Sequence, residues 1–297
     1  MLKIKKCFVL MILGFLVPSG PLWAQSQIPT PQITDTFENL LTDAWFSEAG
    51  TFPMNTTVCI QGECTAGGLK RHQIVLTFDD GPAENTRRIL QVLETYRVRA
   101  TFFVHVGARR LTPTQRILLD EIHHSGHKIA NHGSSHEPLN GSTSSETVTS
   151  MLMDTHNAIA EYYQPGDIPV YRNPGGYWSG GRARLLNEHN TLRTYVGPIF
   201  WNVGGDMVEQ NGQTIDAADW RCRQRRLTPS HCATGYFNAV MNNFNSGRGS
   251  LILMHDIHPI TVDMLPLFFD KLMDTGLRWE FLFVQDIPAV REMITEI

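Results

Sequence analysis

From residue 72 onward, short apolar runs alternate with stretches of helical spacing. Ile74-Val75-Leu76-Thr77-Phe78 is nearly unbroken in its hydrophobicity, which predicts a strand buried on both faces. Thr86 to Tyr96 follows, with Ile89, Leu90, Val92, Leu93 and Tyr96 spaced to line one face of a helix. The alternation continues with a strand at Ala100–Val104, a helix at Thr114–His124 stopped by Ser125-Gly126, a strand at His127–Ala130 and a long helix at Ser145–Tyr163. A strand starts at Val170-Tyr171, a helix covers Arg182–His189, and strands lie near Arg193–Val196 and Ile199–Val203. After a long irregular insertion come a helix near Thr234–Asn243, a strand at Ser250–Met254, a helix at Val262–Asp274, a strand at Trp279–Val284 and a closing helix at Ile287–Thr295. About seven strand–helix units predict a single α/β domain built as a parallel barrel, complete or distorted, with an open doubly wound sheet as the alternative. In both, functional groups collect where strands end and the following loops begin.

The first 71 residues do not share this rhythm. Lys3, Lys5 and Lys6 precede the apolar stretch Cys7–Val17, then Pro18-Ser19-Gly20 and a cleavage-like Leu22-Trp23-Ala24. Residues 1–24 therefore read as a signal peptide, too short in its apolar part for a permanent membrane anchor, and the protein as exported, periplasmic or secreted. Residues 25–71, punctuated by Pro29, Pro31, Pro53 and Gly67-Gly68, read as an extended lead-in with a short helix around Phe37–Phe46, and residues 72–297 as the catalytic domain.

Charge and cysteines narrow the class. The chain holds 25 basic and 29 acidic residues; losing the three leader lysines takes its net charge from −4 to −7, which argues against nucleic acid as a partner. Cys59, Cys64, Cys222 and Cys232 remain after the leader, an even number at close spacing that predicts the disulfides Cys59–Cys64 and Cys222–Cys232 in an oxidising compartment. The second would close an insertion at 205–235. Oligomeric state is left open.

Four predicted strand ends carry chemistry: Asp79-Asp80-Gly81-Pro82, His132-Gly133-Ser134-Ser135-His136, Arg172-Asn173-Pro174-Gly175-Gly176 and His255-Asp256. Adjacent acids after an apolar strand are costly to bury without partners. Gly133 and the two serines make His132 and His136 a loop pair rather than a helical one, and the absence of Glu after His132 removes the helical zinc-protease motif. Two histidines with an aspartate form a common open site for a divalent metal, Zn²⁺ first, with Co²⁺ or another divalent ion as the alternative. Such an ion would make an aspartate useful as a base. Against free water the gap is roughly 12 pKa units, about 16 kcal/mol; against water acidified to about 7 it is roughly 3 units, about 4 kcal/mol. His255 is the candidate acid for a leaving amine, provided that a carboxylate supports its charge. His105, His123, His124 and His127 read as surface or packing residues.

Thr77-Phe78-Asp79-Asp80-Gly81-Pro82, His132-x-x-x-His136, Arg172-x-Pro174 and Leu253-x-His255, in this order, resemble the motifs of the polysaccharide deacetylase family, carbohydrate esterase family 4. The likeness spans roughly residues 72–290. It implies a distorted (β/α)7 barrel that removes acetyl groups from a polysaccharide or oligosaccharide, with peptidoglycan the first substrate, chitooligosaccharide the second and acetylated xylan the third. It also implies Asp79 as base, Asp80, His132 and His136 as metal ligands, His255 as acid, Arg172 as the holder of Asp79 and the Gly175 N–H as an oxyanion donor. Tyr177 and Trp220 are candidate groove residues. The chain departs from the family pattern at Gly133, where Ser or Thr is usual, and at Gly175, where an aromatic is usual. The family's Asp-Trp motif has two candidates, Asp206 and Asp219-Trp220; Asp206 is preferred as the support of His255.

Overall fold

The computed structural model describes residues 59–60, 63–64, 68–107, 111–136, 143–176, 180–210 and 213–295. The leader, the expected helix near Phe37–Phe46 and Tyr177 lie outside the described residues. Two short antiparallel strands, β1 (Cys59–Ile60) and β2 (Glu63–Cys64), place Cys59 and Cys64 as Cα partners. The bond expected between them falls outside the described side chains.

β3 (Gln73–Asp79) is the axis of the sheet. It runs parallel to β4 (Thr101–Val104), which pairs in turn with β5 (Lys128–Asn131). The hairpin strands β6 (Asp206–Gln210) and β7 (Gln213–Ala217) stand apart from this sheet. On the other side of β3 lies β8 (Ser250–His255), and β9 (Glu280–Leu282) pairs with the start of β3. The ring then closes through single bridges: Asn131 with Tyr171, Val170 with Val196, and Val203 with Ile252. The fold is a distorted (β/α)7 barrel. Its distortion sits in the last-closed arc. The expected strands at 193–196 and 199–203 reduce there to a 3₁₀ turn at Leu192–Thr194 and isolated bridges. Pro198 removes a ladder donor in this arc, and a Cβ on Gly197 would come within 2.5 Å of the Tyr171 carbonyl.

Helices cover the outer face. α1 (Thr86–Tyr96) buries Ile89, Leu90 and Leu93 and ends at Arg97 in the left-handed region, φ 54°. α2 (Pro113–His124) starts from a Thr112–Gln115 capping box with Pro113 in the first turn. α3 (Ser145–Ile159) is capped by Ser144 and passes into a 3₁₀ turn at Ala160–Tyr162, four residues before the sequence expectation lets the helix end. α4 (Gly180–Glu188) follows the Arg172 strand end. The described residues of the 205–235 segment form regular elements: after the β6–β7 hairpin come α5 (Asp219–Arg225) and α6 (Pro229–Asn245), joined by the Cys222–Cys232 disulfide. α7 (Pro259–Asp274) and α8 (Pro288–Thr295) complete the ring. No described helix is long and apolar enough to cross a membrane.

Strand alternation divides the core in two and aims the polar residues. Ile74, Leu76, Phe78, Phe102, Val104, Ile252 and Met254 pack outward under the helices. Val75, Phe103, Ala130 and Leu251 fill the barrel interior. Counting on by twos from the inner set gives Asp79, His105, His132 and His255, all at the C-terminal mouth.

Candidate active site

β3 delivers the two acids to different places. Asp79 is the last inward residue of the strand and is 3% exposed. Asp80 follows in the left-handed region, φ 77°, a conformation uncommon outside glycine, and this swings its carboxylate away from the strand line. The next residue must be small: a Cβ on Gly81 would lie 2.1 Å from the Asp256 carboxylate.

Asp80, His132 and His136 bring one ligand atom each within 4.8 Å of one another. His136 Nε2 lies 2.7 Å and His132 Nε2 3.3 Å from Asp80 Oδ1. The His132 tautomer is fixed by its neighbour: Nδ1 lies 2.9 Å from the Arg172 carbonyl, which only accepts, so the proton is on Nδ1 and the Nε2 lone pair points to the cluster. Burial alone would raise the Asp80 carboxyl, but the His132 and His136 imidazoles beside it, with His136 Nε2 at 2.7 Å, hold it well below the usual carboxylate range. One carboxylate and two imidazoles, one of them with its lone pair fixed on the cluster, fit a divalent metal.

Arg172 is 1% exposed, and its burial is compensated at every nitrogen. Nη1 donates to Asp79 Oδ1 at 2.7 Å and to Thr77 Oγ1 at 2.8 Å; Nε donates to the Ile199 carbonyl at 2.8 Å and Nη2 to that of Phe200 at 3.1 Å. The guanidinium also lies 4.2 Å from the Phe103 ring centroid. Asp79 is thus paired with a cation that three other acceptors and a ring hold in place.

His255 is the Cα partner of Asp79 across the β3–β8 pair. Its Nδ1 lies 2.8 Å from Asp219 Oδ1, and its backbone N–H donates to the other carboxylate oxygen. The support of His255 is therefore Asp219, a correction to the expectation of Asp206. Asp206 opens β6 and faces Ala217 across the hairpin, so the chain travels out and back before it reaches Asp219. Asp219 is fully buried and further held by Thr261 Oγ1 at 2.8 Å and by the Trp220 N–H at 2.8 Å. Its own N–H donates to the Tyr236 hydroxyl, which donates to the Leu253 carbonyl. Burial works against protonation of His255, yet the Asp219 carboxylate, by charge and hydrogen bond, pushes it up to about 9. His258 lies beside it, ring centroids 5.5 Å apart.

Sequence reasoning gave two residues at this mouth no role in the site. Asp256 points outward, fully buried, with Oδ2 accepting from Thr86 Oγ1 at 2.5 Å; burial pushes its carboxyl up to about 7. His105, read as a packing residue, has its ring centroid 4.5 Å from that of His136. Burial, with His136 and His132 nearby, lowers it to about 4, so it is neutral. The usable signal for both was strand parity past the end of the apolar run. Gly175 is exposed on the 3₁₀ turn Pro174–Gly176 with φ 67°. Trp220 is half-buried on α5, with the Arg221 guanidinium 5.2 Å from its ring.

A family model described as polysaccharide deacetylase matches residues 66–192. A peptidoglycan-N-acetylglucosamine deacetylase of Bacillus cereus is 30% identical over 281 residues, 94% of this chain and 92% of the relative. A protein of Bacillus subtilis described as a putative polysaccharide deacetylase is 30% identical over 226 residues, 73% of this chain and 69% of the relative. Among solved structures, a family 4 acetyl xylan esterase of Clostridium thermocellum in complex with a cobalt ion superposes with a TM-score of 0.51 at 26% identity, over 75% of this chain and 91% of that one.

Proposed function

The chain belongs to the polysaccharide deacetylase family, and from that membership we propose that it hydrolyses the acetamide of N-acetylated sugars in an extracytoplasmic glycan, peptidoglycan above all. The observation that carries the reading is the opposition of Asp79 and His255 as cross-strand partners, one salt-bridged to Arg172 and the other held by Asp219, beside the Asp80–His132–His136 cluster. The peptidoglycan assignment is supported by a relative of that activity that aligns along nearly the whole chain.

When bound by Asp80, His132 and His136, a divalent ion, Zn²⁺ or Co²⁺, supplies Lewis acidity and brings water into the range of a carboxylate base. Asp79 takes the proton from the attacking water, and Arg172 keeps it oriented. His255 carries its Nδ1 proton toward Asp219, so Nε2 is the nitrogen that hands a proton to the departing amine. The Gly175 N–H is assigned to the oxyanion and Trp220, with Tyr177, to the groove wall. Residues 1–24 are assigned to export.

The test is acetate release by the purified protein from peptidoglycan and from chitooligosaccharides, with and without chelator. Expected are acetate from peptidoglycan, its loss on chelation, its recovery with Zn²⁺, and a fall of about 10²–10⁴-fold for Asp79→Asn. New reducing ends without acetate would mark a glycosidase and sink the reading. Acetate from chitooligosaccharides alone would move the substrate to a chitin-type glycan.

A further inference from the structure

Between the two strands that carry the candidate ligands runs one that carries none. β4 lies between β3, which leads to Asp80, and β5, which leads to His132 and His136. Its last peptide bond nevertheless engages both neighbours. The Val104 carbonyl accepts the N–H of His132 at 3.0 Å, and the N–H of His105 donates to the Gly81 carbonyl at 2.7 Å. Any residue except proline provides those two bonds, so they do not explain a histidine at position 105.

The side chain explains it. At inner parity, the His105 imidazole lies against His136, ring centroids 4.5 Å apart and planes inclined at 43°. The same imidazole faces the backbone of Gly133. Its Nδ1 is buried without a hydrogen-bond partner among the described residues, which leaves Nε2 as the nitrogen able to carry an N–H to the Gly133 carbonyl. Gly133 is the first residue of the turn between the two histidines and sits in the left-handed region, φ 73°. It has no side chain with which to brace that turn. Support for the ligands is also uneven. His132 is buried and tied through Nδ1 to the Arg172 carbonyl, whereas the side chain of His136 is 48% exposed.

We propose that His105 is a positioning residue for the metal site: its ring backs His136 and its N–H holds the Gly133 turn, so that the end of β4 sets the spacing of ligands borne by β3 and β5. The proposal rests on the reading of Asp80, His132 and His136 as a metal site. It assigns no ligand role to His105.

The experiment is Zn²⁺ titration of the full purified chain by calorimetry, together with visible spectra of the Co²⁺ form, for wild type, His105→Ala and His105→Phe. His105→Phe keeps a ring against His136 and deletes the N–H, so it separates packing from hydrogen bonding. Residues that orient metal ligands typically cost 10–100-fold in metal affinity when replaced. His105→Ala is expected to weaken Zn²⁺ binding in that range and to change the Co²⁺ spectrum, with His105→Phe recovering part of the loss. The melting temperature in chelator should stay within about 2 °C of wild type for at least one variant. Dissociation constants within twofold of wild type would overturn the proposal, and so would affinity losses matched by equal loss of chelated-state stability in both variants. If wild type itself binds no Zn²⁺, the metal-site reading fails as well, and that result is distinct from a failure of His105 alone.

Discussion

The two halves of the barrel mouth are built on different plans. The half that gathers Asp79, Asp80, His132 and His136 is an outgrowth of the sheet. Asp79 closes β3 and Asp80 follows it, His132 follows β5 and His136 lies further along the same loop, and the neighbouring strands bond to one another through consecutive ladders. The half that presents His255 borrows its carboxylate from outside the sheet, from the first turn of α5, beyond a hairpin that pairs with no barrel strand. On the proposed reading, the comparison teaches that a base and its acid can be held by different means, one by the sheet and one by an appended element, and that damage to the appended element should reach only its own half.

The largest expected effect tests that division directly. Asp219→Asn removes the charge that supports His255 and should lower turnover about 10²–10⁴-fold while leaving Zn²⁺ affinity within a factor of about two. Asp206→Asn should leave both unchanged. Acetate release and metal titration on the same preparations read the outcome, and a loss of metal affinity in Asp219→Asn would erase the division. A smaller effect comes from the bridge between α5 and α6. The paired substitution Cys222→Ser with Cys232→Ser removes a short cross-linked loop and should cost about 2–3 kcal/mol in denaturant unfolding. It should lower turnover with metal affinity intact. The smallest effect is on pH. The folded-state value of His255, about 9, lies above its ordinary 6.5, so the stabilisation from its pairing with Asp219 is complete below about pH 6.5 and fades as pH rises through about 9. Unfolding curves of chelated protein across that window should show the slope in wild type and a flatter course in Asp219→Asn.

The same division governs how much could be read from the chain before folding. Strands β3, β4, β5 and β8 were legible because buried parallel strands are continuous apolar runs, and the polar residues that end them stand at the mouth by construction. Asp79, Asp80, His132 and His255 needed no more than that to stand at the mouth, and His136 needed its loop spacing from His132 as well. Arg172 was legible by position but not by its depth, since nothing in the sequence announces that Ile199 and Phe200 will turn their carbonyls onto its guanidinium. The arc from Leu192 to Val203 was misread as two strands, because its apolar residues satisfy strand patterning while Pro198 and the close approach at Gly197 limit it to single bridges. Asp206 was preferred over Asp219 because it has the position expected of the family's Asp-Trp motif, while Asp219-Trp220 has the letters but comes later, beside Cys222. The length of a hairpin, and hence the residue that returns to the mouth, is a tertiary quantity with no local signature.

Arg172 takes part in the site twice, by different routes. Its guanidinium fixes Asp79, and its carbonyl fixes the tautomer of His132. Substitution can delete the first and cannot delete the second, because every amino acid carries a carbonyl. On the proposed reading, mutational drift at this position can therefore silence the base while the Asp80–His132–His136 cluster endures. If that reading holds, a descendant with another residue at 172 would keep the metal site and lose hydrolysis, and the reverse fate is closed to it by that route.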